Sequence, residues 1–77
     1  MKPANAFGLA LRHFRTCQKI SQERLSQESG LDRSYISLLE RGLRQPSLTT
    51  LLQLAGVLDV SASELILKVE ELLDENH

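Results

Sequence analysis

The chain has 77 residues, a formal net charge of −1 and only 4% aromatic content, which bounds one small domain with a modest core. Its single cysteine, Cys17, excludes an internal disulfide and fits no metal or redox motif, so a reducing, cytoplasmic setting is expected. No apolar run approaches the ~20 residues that span a bilayer, and the opening MKPANAFG lacks a signal-peptide pattern.

Caps and apolar period place five helices and no strand. The first is expected from about Ala6 to Gln18, with Phe7, Leu11, Phe14 and Cys17 on one face and Ile20 as a core plug behind it. Ser21 caps a second helix, Gln22 to Ser29, in which Leu25 points inward and Ser26 offers a small surface for close approach. Gly30 and Leu31 form a turn. Asp32 caps a third helix over residues 33–41, with Ile36 and Leu39 inward, Tyr35 beside them and Gly42 as terminator. Ser47 caps a fourth, whose expected inward residues are Leu48, Leu51, Leu52, Ala55 and Leu58. Ser61 and Glu64 have capping-box spacing and start a fifth helix, about 62–74. The expected fold class is therefore an all-α, five-helix bundle, with residues 1–77 as one domain.

Two short helices joined by a tight glycine turn form a helix-turn-helix, which places its second helix in the DNA major groove. The total charge argues against a nucleic-acid partner, but its distribution reverses that. Residues 1–58 hold eight Lys/Arg and four Asp/Glu, and residues 59–77 hold one Lys and six Asp/Glu. The body is thus +4 and the tail −5.

On a wheel of 100° per residue, Arg33, Ser34, Ser37, Leu38 and Arg41 gather on the side of the third helix away from Ile36 and Leu39. Arg33 and Ser34 stand in the first turn, the end that meets base edges, where an arginine can bond guanine O6 and N7 together. Gln22, at the start of the second helix, can add a phosphate bond or brace the recognition helix. Arg44, in the following loop, is placed for a backbone phosphate. Glu40 falls toward the core and needs a partner, for which Arg15 is the best candidate.

The sequence also argues against chemistry at this chain. His13 and His77 have no ligand partner at metal spacing. There is no nucleophile–base pair, phosphate loop or catalytic carboxylate pair. No metal, cofactor or enzymatic activity is expected.

The run closely resembles the Cro and phage-repressor type of helix-turn-helix regulator, the XRE family. Phe7–Gly8, Leu11–Arg12, Arg15, SQE at 21–23, Leu25, SGLDRSYIS at 29–37, LERG at 39–42, PSL at 46–48 and SASEL at 61–65 carry the resemblance. It implies a five-helix domain that binds double-stranded DNA as a homodimer on a palindromic operator. It also puts Gln22, Arg33, Ser34, Ser37 and Leu38 at DNA-contact positions, Tyr35 and Arg44 at backbone-reaching ones, and Arg15 with Glu40 in an internal ion pair. Two departures are visible: Ser26 stands where alanine is usual, and Gln18 and Lys19 replace a common glycine. The short length and DRSYIS are most similar to stand-alone controllers of restriction–modification systems.

Apolar residues of the fifth helix form two stripes, Leu65/Val69/Leu72 and Ile66/Leu73, with Leu67 further round. So wide a surface implies a partner. The first stripe is expected to pack mainly on the first and fourth helices, and Ile66, Leu67, Val69 and Leu73 are the expected dimer contacts. The expected function is sequence-specific transcriptional regulation. The alternative is an antitoxin that binds a partner toxin and represses its own operon. A protein partner, toxin or RNA polymerase, is left open by the sequence.

Overall fold

Local chemistry sets the helix starts. In the computed structural model, which describes residues 1–75, five helices occur: α1 Pro3–Cys17, α2 Gln22–Ser29, α3 Arg33–Glu40, α4 Leu48–Val57 and α5 Ala62–Asp74. Ser21, Ser47 and Ser61 each accept from the backbone N–H three residues on, and Glu64 returns a bond to the Ser61 N–H to complete a capping box. Helix α1 starts three residues earlier than the sequence suggested, because Pro3 occupies the first turn with Lys2 as its cap. Proline there loses only an N–H that would have no helical partner.

The helix ends follow one pattern. After α1, α3 and α4 the chain closes with paired 6→1 and 5→2 backbone bonds: Ile20 N–H to Arg15 O and Lys19 to Thr16, Leu43 to Leu38 and Gly42 to Leu39, Val60 to Ala55 and Asp59 to Gly56. This closure requires a left-handed residue. Gly42 adopts it at φ 76°, whereas Lys19 and Asp59 adopt it at φ 58° and 57° without glycine's freedom. The Gln18–Lys19 departure therefore leaves the turn intact and puts a strained residue in it. Gln18 adds a bond from its side-chain amide to Leu58 O, 3.1 Å, which ties the α1–α2 turn to the end of α4.

One apolar core joins all five helices: Ala6, Phe7, Ala10 and Leu11 of α1, Leu25 of α2, Ile36 and Leu39 of α3, Leu51, Leu54, Ala55 and Leu58 at α4, and Leu65 and Val69 of α5. Helix α1 is the hub and packs on both α3 and α5. Its Gly8 lets it approach closely: a Cβ there would stand 2.4 Å from Leu39 O and 2.6 Å from Glu40 O.

Two inward assignments change, and one expected dimer contact lies in the core. Cys17 is exposed: it ends α1, beyond the buried residues Ala6, Phe7, Gly8, Ala10 and Leu11. Leu48 and Leu52 are 72% and 54% exposed, while Leu54 is fully buried in their place. Helix α4 is apolar around most of its circumference, so period alone cannot choose which arc faces the core. The dimer contact is on α5: Val69 is 9% exposed and sits in the core cluster, with Leu73 packed against it. The stripe of Leu65, Val69 and Leu72 faces inward, since α5 packs on α1 and α4. Val69 therefore leaves the surface open to a partner.

Candidate nucleic-acid interface

The turn between α2 and α3 is held by its own side chains. Gly30 takes the left-handed conformation at φ 76° and donates to Ser26 O at 2.9 Å. The Ser26 hydroxyl donates to Leu31 O, and Ser29 Oγ accepts from the Leu31 N–H at 3.2 Å. Ser26, the departure from the usual alanine, thus satisfies a carbonyl of the turn that a methyl group would leave without this bond.

A charged network fixes α3 to the rest of the bundle. Arg15 Nε donates to Glu40 Oε2 at 2.6 Å, and a second guanidinium nitrogen donates to Oε1 at 3.0 Å. The third nitrogen donates to Ile20 O at 2.9 Å, so the arginine also grips the α1–α2 turn. The Gln22 side-chain amide donates to Glu40 Oε1 at 3.1 Å. The Glu40 side chain is 4% exposed and that of Arg15 13%. A carboxylate so buried is sustained by this bidentate pairing and by Gln22. Through these bonds the first turn of α2 and the last turn of α3 hold a fixed relation.

The outer face of α3 is the remaining surface. Arg33, Ser34 and Arg41 are exposed, and Ser37 and Leu38 are half-buried between them. Tyr35 packs against the edge of the core, and its side chain is partly covered. Arg44 is exposed in the loop that follows Gly42. Among the described residues Arg33 and Arg44 make no ion pair, whereas Arg41 Nε makes a long contact, 3.4 Å, to Ser37 O. The loop is anchored: a Cβ on Gly42 would stand 2.4 Å from Asn5 Nδ2, so the first turn of α1 sits against it. The result is a row of short polar and basic groups on a rigid helix, with a cation in the adjoining loop. This arrangement suits a major groove flanked by phosphates.

The sequence did not reveal two features of this surface. Gly8 sets the depth at which α3 packs, and only the fold shows what it approaches. Asp32 does not cap α3 with its side chain and instead accepts a hydrogen bond from the Ser34 hydroxyl. Among the described residues no group of three or more His, Cys, Asp or Glu could hold a metal, and no single helix is long and apolar enough to cross a membrane.

Residues 11–65 match the family model described as helix-turn-helix. The chain belongs to that family. Its type is that of the Cro and phage-repressor regulators, and it is a DNA-binding helix-turn-helix of the transcription-regulator kind. One relative, an uncharacterised HTH-type transcriptional regulator from Sinorhizobium fredii, is 43% identical over 82% of this chain. The chain spans only 31% of that relative's length, and 44% of an HTH-type regulator from Mycobacterium tuberculosis. The restriction–modification controller protein C.AhdI from Aeromonas hydrophila superposes with a TM-score of 0.78 at 48% identity, over 80% of this chain and 94% of that one. The biofilm regulator SinR, solved in complex with DNA, superposes with a TM-score of 0.75 at 33% identity, over 78% of this chain and 97% of that one. SinR is a protein of Bacillus subtilis.

Proposed function

We propose that this chain binds a specific palindromic operator as a homodimer, with α3 in the major groove and the first turn of α2 against phosphate. The observation that carries the proposal is the exposed row of Arg33, Ser34 and Arg41 on a helix whose other side is pinned by Ile36, Leu39 and the Glu40 network. In it Arg33 and Ser34 address base edges, Ser37 and Leu38 lie along the groove, and Tyr35, Arg41 and Arg44 address the backbone. Gln22 brings its N-terminal helix position to a phosphate while its side chain braces Glu40.

The dimer is supported by a surface that one copy leaves uncovered. Leu48 and Leu52 on α4 and Ile66 and Leu67 on α5 are 72%, 54%, 40% and 55% exposed. Leu48 and Ile66 line one groove of about 200 Å3 together with Pro3, Ala4, Phe7 and Leu51. A two-fold contact there would be isologous. It would set two recognition helices about one turn of DNA, ~34 Å, apart. The likeness to C.AhdI favours the controller form of this role, while no observation favours an antitoxin.

Selection of bound sequences from random duplex DNA tests the function. Recovery of a palindrome with half-sites one helical turn apart is expected. Recovery of no preferred sequence, or of single half-sites bound as tightly as palindromes, would overturn it.

A further inference from the structure

The geometry points to Asp32 as a specificity-determining residue that selects a base carrying an exocyclic amine in the major groove, next to the base that Arg33 reads. The inference rests on the DNA-reading function proposed above. Aspartate before a helix ordinarily spends its carboxylate on the free N–H groups of the first turn. Here that bond is not made: Asp32 has extended backbone, φ −66° and ψ 138°, and its side chain caps nothing. Instead the Ser34 hydroxyl donates to Oδ2, which steadies the carboxylate beside the first turn of the helix. No cation pairs with it among the described residues, not even the adjacent Arg33. Residue 32 is exposed, as are 33 and 34. One carboxylate oxygen is thus held by Ser34, on an exposed residue next to an arginine that makes no ion pair among the described residues.

At the reading end of a recognition helix such a group has a narrow use. A carboxylate accepts and cannot donate, and it is repelled by phosphate, so it adds nothing to general affinity. The donors on the major-groove edges are the N4 amine of cytosine and the N6 amine of adenine. Guanine and thymine present O6 or O4 instead, an acceptor facing an anion. Arg33 supplies the converse preference, because its guanidinium donates to the acceptors of guanine. The two adjacent residues form an acceptor and a donor of fixed order along the groove. The hydrogen bond also commits the Ser34 proton to Asp32, so Ser34 acts on DNA mainly by positioning the carboxylate and through its acceptor lone pairs.

The test compares the full chain with Asp32→Asn and Asp32→Ala by selection from random duplexes, followed by titration on the selected operator and its single-base variants. Asp32 is exposed and its side chain makes no cap bond, so D32N keeps the fold, which helical content and melting verify. The wild type is expected to reject bases without an amine at one position per half-site by about tenfold, the scale of one good base contact. That rejection should fall to about twofold in D32A, whereas D32N, whose amide both accepts and donates, should keep adenine and lose the rejection of guanine and thymine; in both, the guanine preference next to it is retained and binding to random duplex strengthened. An unchanged preference with uniformly tighter binding would make Asp32 a mere electrostatic brake and overturn the inference. A wild-type protein that selects no sequence would overturn the DNA-reading function itself.

Discussion

Arg33 stands in the first turn of α3, exposed and without an ion pair among the described residues, so in the proposed complex its guanidinium would meet the groove without breaking an ion pair inside the protein. Arg33→Ala should cost ~1–3 kcal/mol of specific binding and relax preference at one base pair per half-site. Titration against operator variants checks this, and an equal loss on every variant would make Arg33 a phosphate contact. Arg15 and Glu40 act in the opposite way, by staying inside. Their bidentate pair is shielded and shared with Ile20 O and Gln22. Removing one partner leaves a nearly buried charge unpaired, at a cost of ~3–5 kcal/mol for a fully buried pair and less for a half-shielded one. A double-mutant cycle by urea melting should give a coupling above ~1 kcal/mol, and additive losses would show that the two do not interact energetically.

At the scale of elements, the close packing of α1 on α3 hinges on a missing side chain. Gly8→Ala would push a Cβ into the backbone carbonyls of residues 39 and 40, where no side chain can rotate away. It should destabilise the chain by at least ~1–3 kcal/mol, the cost of overpacking. Gly56→Ala, on α4 with nothing within 4 Å of the new Cβ, should instead stabilise by ~0.5–1 kcal/mol. Equal effects of the two in a urea melt would refute the close-approach argument. The turn after α1 offers a converse case. Lys19 holds the left-handed conformation at φ 58°, so Lys19→Gly should raise stability by up to ~1 kcal/mol, as thermal melting would show. Local signals made most of these elements readable: the three serine caps, the Ser61–Glu64 box and Gly30 and Gly42 each act within a few residues of themselves. What period could not give was the facing of α4. Its apolar residues span more of the wheel than the core can cover, and the buried arc of Leu51, Leu54, Ala55 and Leu58 is turned by roughly 50° from the expected one. For the candidate site, the exposed placement of Arg33, Ser34 and Arg41 follows from helical period once α3 is anchored. The Ser34–Asp32 bond does not, because sequence treats an N-cap aspartate as spent on its own helix.

The misplaced arc of α4 gains its meaning from the whole molecule. Leu48 and Leu52, expected in the core, are exposed, and Leu48 lines a groove together with Ile66 of α5. The misjudged arc of α4 and the double assignment of Val69, to the inward stripe and to the dimer contacts, come from one cause: apolar period does not distinguish surface for a core from surface for a partner. The acidic residues Glu70, Glu71, Asp74 and Glu75 lie on the same helix as Ile66 and Leu67 and place negative charge at this pole, opposite in sign to the cationic row of α3. In the proposed complex such a charge division would keep the acidic end of α5 off the duplex. Leu67→Glu tests the arrangement, since Leu67 is 55% exposed and its loss should leave the monomer's melting nearly unchanged. A charge buried against its own two-fold mate is costly on both copies at once. Sedimentation equilibrium at tens of micromolar should show a dimer for the parent chain and a monomer for the variant. The variant should also lose its advantage for a palindrome over a single half-site while keeping its base preferences within one half-site. A variant that remains dimeric would move the interface away from α5, and a parent chain that is monomeric at that concentration would remove it altogether.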